Sequence, residues 1–155
     1  MKTLMILVLI STLLVNCGSS PQPIEYGHMS CDYCKMTVVD QQYAAQLVTT
    51  KGKSFVFDAT ECMINYNRAE ENQRHEYSQV LVTDYLSPTK LIDAETASYI
   101  RSEQLPSPMG AFITAVEKDT DIEELKEKYN GMVYSWDELN NVFSELPTFN
   151  HDHQH

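Results

Sequence analysis

Two β-prone runs, Tyr43 to Thr50 and Ser54 to Phe57, flank Lys51-Gly52-Lys53. Two such runs around a glycine-bearing turn predict a β-hairpin. Just upstream, Met36-Thr37-Val38-Val39 reads as a further strand. Beyond Phe57 the pattern predicts a helix from about Glu61 to Glu71, with Asp58 or Thr60 as its N-cap. Tyr77 to Tyr85 returns to strand and ends at a turn near Ser87-Pro88.

The second half has a similar rhythm. Lys90 to about Ile100 mixes alternation with helix formers and is read as strand, and two prolines make Gln104 to Pro108 a loop. Met109 to Val116 predicts a strand. Asp121 to Tyr129 predicts a helix, since its acidic first turn and the following Gly131 are start and stop signals. Gly131 to Ser135 reads as a strand, and a last helix capped by Ser135 or Asp137 runs to about Leu146. Strand, strand, helix, strand thus occurs twice, with no sequence identity between the halves.

The beginning of the chain is of another kind. Met1-Lys2 leads into an apolar run from Leu4 to Val15, interrupted only by Ser11 and Thr12. About a dozen apolar residues after a positive start fit a secretory signal and fall short of the roughly 20 needed for a membrane span. Residues 1–16 are therefore read as a signal peptide. Leu14-Val15-Asn16-Cys17 resembles a bacterial lipobox, with Cys17 as the lipidated first mature residue and 17–27 as anchor and tether; Asn16 departs from the usual small residue. The alternative is an ordinary secreted protein with a stray thiol at Cys17.

Charge narrows the function. Lys and Arg number 11 against 22 Asp and Glu, a formal net charge of −11. There is no basic stripe to neutralise phosphates, which argues against nucleic acid. Such a surface also repels anionic lipid, so membrane attachment falls to the anchor. The rest of the chain, roughly 140 residues, suggests one compact domain or two very small ones.

The chemistry concentrates in His28-Met29-Ser30-Cys31-Asp32-Tyr33-Cys34-Lys35-Met36, with Cys62-Met63 and Ser107-Pro108-Met109-Gly110 downstream. Thiols and thioethers together favour soft ions, above all Cu(I), whereas a zinc site normally uses thiolates and imidazoles without methionine. With Cys17 given to lipid, Cys31, Cys34 and Cys62 leave an odd thiol in a compartment that permits disulfides. Cys34 is read as a metal ligand, and Cys31 as either a ligand or its disulfide partner. Met109 lies in a loop, where a thioether is freer to ligate; Met36 opens a strand and reads equally as ligand or core residue. Cys62 and Met63 point in different directions from one helical turn, so at most one faces a site. The helix dipole there should favour the Cys62 thiolate. His28 completes the candidate set, with a solvent-exposed imidazole as its other reading. His151, His153 and His155 form a tail, 148–155, able to scavenge a second metal ion or simply to be solvated. No acid/base dyad, nucleophile motif or phosphate loop is present.

The lipobox, Cys31-x-x-Cys34-x-Met36, Ala44-Ala45-Gln46, Phe57-Asp58 followed by Cys62-Met63, Val82-Thr83-Asp84 and Ser107-Pro108-Met109-Gly110 together resemble the NosL family, the nitrous oxide reductase accessory lipoproteins. The resemblance implies a copper chaperone, not an enzyme, that faces the periplasm from a lipid anchor in the bacterial envelope. It implies Cu(I) bound by cysteine and methionine and delivered for the copper-sulfide centre of nitrous oxide reductase, with that enzyme and its maturation machinery as partners. The implied fold is α+β, two small ββα-type units, each a short mostly antiparallel sheet with a packed helix, at 28–86 and 87–147. The family's Cys-x-Met element falls on Cys34 and Met36, and its Met-Gly loop on Met109 and Gly110. Cys31 and Cys62 depart from some members, which leaves a chaperone for another cuproenzyme as an alternative. A thiol-disulfide oxidoreductase using Cys31 and Cys34 would instead need the CxxC at a helix start, where β-prone residues follow here. A zinc-structured module is the third reading.

Overall fold

The computed structural model describes residues 20–145. The expected signal peptide, Cys17 as the expected lipidation site and the histidine tail with His151, His153 and His155 lie outside the described residues.

The hairpin forms as expected. Strands β1 (Ala45–Thr49) and β2 (Ser54–Phe57) pair antiparallel with Ala45 opposite Phe57. Gly52 takes φ 81° at the tip, and the Thr49 hydroxyl accepts from the Lys53 amide at 2.9 Å. Helix α1 (Thr60–Arg68) follows, then β3 (Tyr77–Thr83) and β4 (Leu91–Asp93). Strands β5 (Ser98–Arg101) and β6 (Ile113–Val116), helix α2 (Ile122–Lys128), β7 (Met132–Tyr134) and helix α3 (Trp136–Glu145) complete the order. Two antiparallel sheets result, β2-β1-β3-β4 and β6-β5-β7, and with three short helices they make an α+β fold. In each sheet the first strand of a hairpin is central and the strand after the helix joins its other side. The doubled rhythm of the sequence is thus a doubled topology, β2-β1-β3 and β6-β5-β7, with β4 added to the first sheet.

Four expected elements differ, each for a local reason. Met36 to Val39 is no strand: Lys35 takes φ 66°, its amide closes a turn onto the Cys31 carbonyl, and pairing reduces to one bridge between Ser30 and Thr37. Lys90 to Ile100 is two strands in different sheets, because the Asp93 side chain accepts from the amides of Glu95 and Thr96 and breaks the run. Only the last half of Met109 to Val116 is strand; Gly110 and Phe112 take φ 75° and 62° before it. Helix α1 has Ala59 at its N-cap with no side-chain cap, so neither Asp58 nor Thr60 serves, and it ends at Arg68. The other two helix starts follow their signals. Asp121 accepts from the Glu124 amide, and Ser135 with Glu138 forms a reciprocal capping box.

The largest apolar cluster joins both halves, from Phe57, Met63 and Val82 to Tyr99, Ile113, Leu139 and Phe143. Cys31 and Cys62 are part of it. The shared cluster thus takes in two of the thiols, and a smaller cluster of Ile100, Leu105, Val116 and Leu125 lies in the second half.

Candidate metal centre

The loop 31–34 lies along the outer edge of β2. The Asp32 amide donates to the Val56 carbonyl at 2.8 Å, and the Asp32 carboxylate accepts from the Val56 amide at 2.8 Å. An edge strand has free amides and carbonyls to offer, and here one residue satisfies two of them. The loop is held with Cys31 pointing inward, fully buried, and Cys34 half-buried at the surface. Chain direction then completes the cluster. Asp58 is the first residue past β2, and Cys62 sits in the first turn of α1.

The sulfurs of Cys31, Cys34 and Cys62 and a carboxylate oxygen of Asp58 all lie within 4.8 Å of one another. All three thiols are free. Cys34 Sγ is 3.6 Å from Asp58 Oδ1 in hydrogen-bond geometry. The Cys62 thiol donates to Cys31, and this, with backbone hydrogen bonds at Asp58, Cys34 and Tyr33, lowers the Cys31 pKa to about 7 against burial. Burial pushes Cys34 up to about 12, with the charge of Cys31 adding to it. Cys62 is raised through its hydrogen bond to Cys31, its burial and the nearby negative charges. The expectation that the helix dipole makes Cys62 the thiolate is thus reversed: the negative charge rests on Cys31, and a second thiolate beside it is disfavoured.

The remaining candidates are spread more widely. Met63 is buried in the core, while Met36 is 52% exposed. His28 is exposed and outside the four-residue group. Met109 is half-buried against the core cluster that contains Cys31 and Cys62. Its loop is tied to the thiol region by one side chain. The Ser107 hydroxyl donates to buried Glu61, the neighbour of Cys62, and accepts from the Phe112 amide at 2.9 Å. A bulky residue at positive φ costs of order 1–3 kcal/mol and persists only where its surroundings hold it. The Ser107 bond to the Phe112 amide is one such restraint. Burial raises the Glu61 pKa, and its second oxygen has no partner.

Two residues of this region escaped the sequence reading. Asp58 is read from the sequence as a capping candidate and as part of the Phe57-Asp58 turn but not as a ligand, although its place between a strand end and a cysteine four residues on is a usable signal. Glu61 carried none, since its partner Ser107 is 46 residues away.

The profile of the NosL family matches residues 23–143. The chain belongs to the NosL family. Copper chaperones rather than enzymes make up that family, and the three thiols and one carboxylate described above could hold a metal ion. The solved structure of the copper chaperone NosL from Shewanella denitrificans is similar in fold, with a TM-score of 0.65 and 24% identity over 77% of this chain and 95% of that one. No curated protein matches the chain.

Proposed function

We propose that this member of the NosL family is an envelope lipoprotein, anchored through Cys17 and facing the periplasm, that carries one Cu(I) ion and delivers it for the copper-sulfide centre of nitrous oxide reductase. The observation that carries the reading is the gathering of Cys31, Cys34 and Cys62 within 4.8 Å, with only Cys34 reaching the surface. Thiolates suit Cu(I), and an opening on one side suits a cargo that must leave. Cys34 is the entry ligand, Cys31 and Cys62 stand behind it, and Met109 on its loop supplies a thioether. Exposed Met36 lies two residues past Cys34, where it can meet copper on the way in or out. Units 28–86 and 87–147 then divide the work: the first holds the thiols and the second brings the Met109 loop. Nitrous oxide reductase and its maturation machinery are the partners this reading names.

The test is an anaerobic titration of the reduced protein with Cu(I) against a competing chelator, repeated with Zn(II). One tightly held Cu(I), weakened by Cys34→Ser and by Met109→Leu, supports the proposal. Failure to compete for Cu(I) with intact thiols, or a stronger preference for Zn(II), overturns it.

A further inference from the structure

Asp58 is the member of the cluster that Cu(I) binding does not explain. A soft ion gains little from a carboxylate, whereas Cu(II) takes oxygen donors readily. Yet Asp58 is almost fully buried and lies against Cys34, the one thiol of the cluster that meets the surface. A carboxylate beside an exposed thiol makes an S,O landing site for the oxidised ion. Directly behind it lie two further thiols, both buried and within 4.8 Å of each other.

We propose that this site also accepts Cu(II) and reduces it, with Cys31 and Cys62 as the electron source and Cys34 as the sulfur that keeps the product. The proposal rests on the reading of Cys34 as a copper ligand. Two Cu(II) ions each take one electron, one sulfur–sulfur bond forms between Cys31 and Cys62, and their thiol protons pass to solvent. The products are two Cu(I), one disulfide and two protons. One Cu(I) stays at Cys34 and the other is released. The step is stoichiometric, one disulfide per chain.

Three features of the cluster favour this pairing. The sulfurs of Cys31 and Cys62 lie within 4.8 Å of each other, close enough to join with a small movement. Both are shielded from a second protein molecule, which directs oxidation inward rather than to an intermolecular bridge. The third thiol of the cluster, Cys34, is left over for the soft product, and soft ligation favours Cu(I) over Cu(II). A site with Cys34 as its lone thiol would have no such internal reductant.

The experiment mixes the purified, fully reduced protein with two equivalents of aqueous Cu(II) without oxygen and follows the paramagnetic Cu(II) signal by electron spin resonance. The expected result is loss of the whole signal, a monomer 2 Da lighter after copper is stripped (the two hydrogens lost in the disulfide), and a Cys31–Cys62 link in peptides cut at Asp32 to separate Cys31 from Cys34. Cys34 should still alkylate. Persistence of the Cu(II) signal, a disulfide-linked dimer, or a link that includes Cys34 would overturn the proposal. The Cu(I) titration above separates the two readings: tight Cu(I) binding beside a persistent Cu(II) signal removes the reduction alone, and loss of Cu(I) binding removes both.

Discussion

A thiol ionises at the site where its neighbours can donate to it. Cys31 is that site, lowered to about 7 by the Cys62 thiol and nearby backbone hydrogen bonds, while Cys34 is raised to about 12 by burial. The sign of the pH dependence follows. Cys31, depressed in the fold, contributes stability that is full above its unfolded value near 9 and lost as pH falls through about 7. Cys34, raised in the fold, contributes stability that is full below that value and lost as pH climbs toward about 12. The metal-free protein is therefore expected to gain stability from pH 7 to pH 9 and lose it beyond, read as urea midpoints across that range. A flat profile would remove the assignment of Cys31 as the thiolate. Copper capture has its own pH signature, since every thiol proton displaced weakens apparent binding tenfold per pH unit. Below about pH 7 Cys31 joins the protonated thiols. The Cu(I) affinity should thus fall more steeply below pH 7 than above it, by about one further power of ten per unit.

At the scale of elements, the loop before β6 is held by side chains rather than by a ladder. Ser107→Ala leaves both Glu61 oxygens and the Phe112 amide without that hydroxyl, and an unmet buried group costs about 1–3 kcal/mol. Thermal stability should drop accordingly, and Cu(I) binding should weaken with it if Met109 is a ligand. In a Met109→Leu background the further loss of Cu(I) affinity should vanish while the loss of stability stays. A second expectation concerns Gly131, the residue before β7. A Cβ there would stand 2.5 Å from Ile100 Cγ1 of the central strand β5. Gly131→Ala is expected to cost about 1–3 kcal/mol by overpacking, seen as a lower denaturation midpoint. The sequence named most elements because they are locally determined: the Gly52 hairpin, the Asp121 cap and the Ser135-Glu138 box each need only a few neighbouring residues. It misplaced those broken by short turns that the hydrophobic pattern does not show. Met36 to Val39 follows the positive-φ turn at Lys35 and bends back toward Cys31, and Lys90 to Ile100 crosses from one sheet to the other where Asp93 ties down the amides of Glu95 and Thr96. The site was legible in the same measure. Soft donors advertise themselves by residue type, so Cys31, Cys34 and Cys62 stood out, whereas Asp58 is a common residue whose meaning comes from Cys34 lying across the loop.

The whole molecule raises a question of cooperativity, because a doubled topology invites two independent units. The core argues otherwise. Phe57, Met63 and Val82 from one half share a buried cluster with Tyr99, Ile113 and Leu139 from the other, and Glu61 of α1 bonds Ser107 beyond β5. Neither half can open without exposing apolar surface of its neighbour, and small domains joined in this way unfold in a single step. The single tryptophan, Trp136, lies in the second half against Tyr99, with ring centroids 5.8 Å apart. Its fluorescence reports that half, while far-ultraviolet dichroism reports helices and strands of both. The two transitions on urea titration are expected to coincide. The thiols lie wholly in the first half, so bound Cu(I) acts as a probe of coupling: at a free concentration of 100 times the dissociation constant it should stabilise the fold by about 2.7 kcal/mol. With the halves joined through the shared cluster, the tryptophan midpoint in the second half must move by the same amount as the dichroism. A tryptophan transition that ignores copper, or that separates from the dichroism, would show that the halves fold independently and that the Met109 loop is not energetically joined to the thiols.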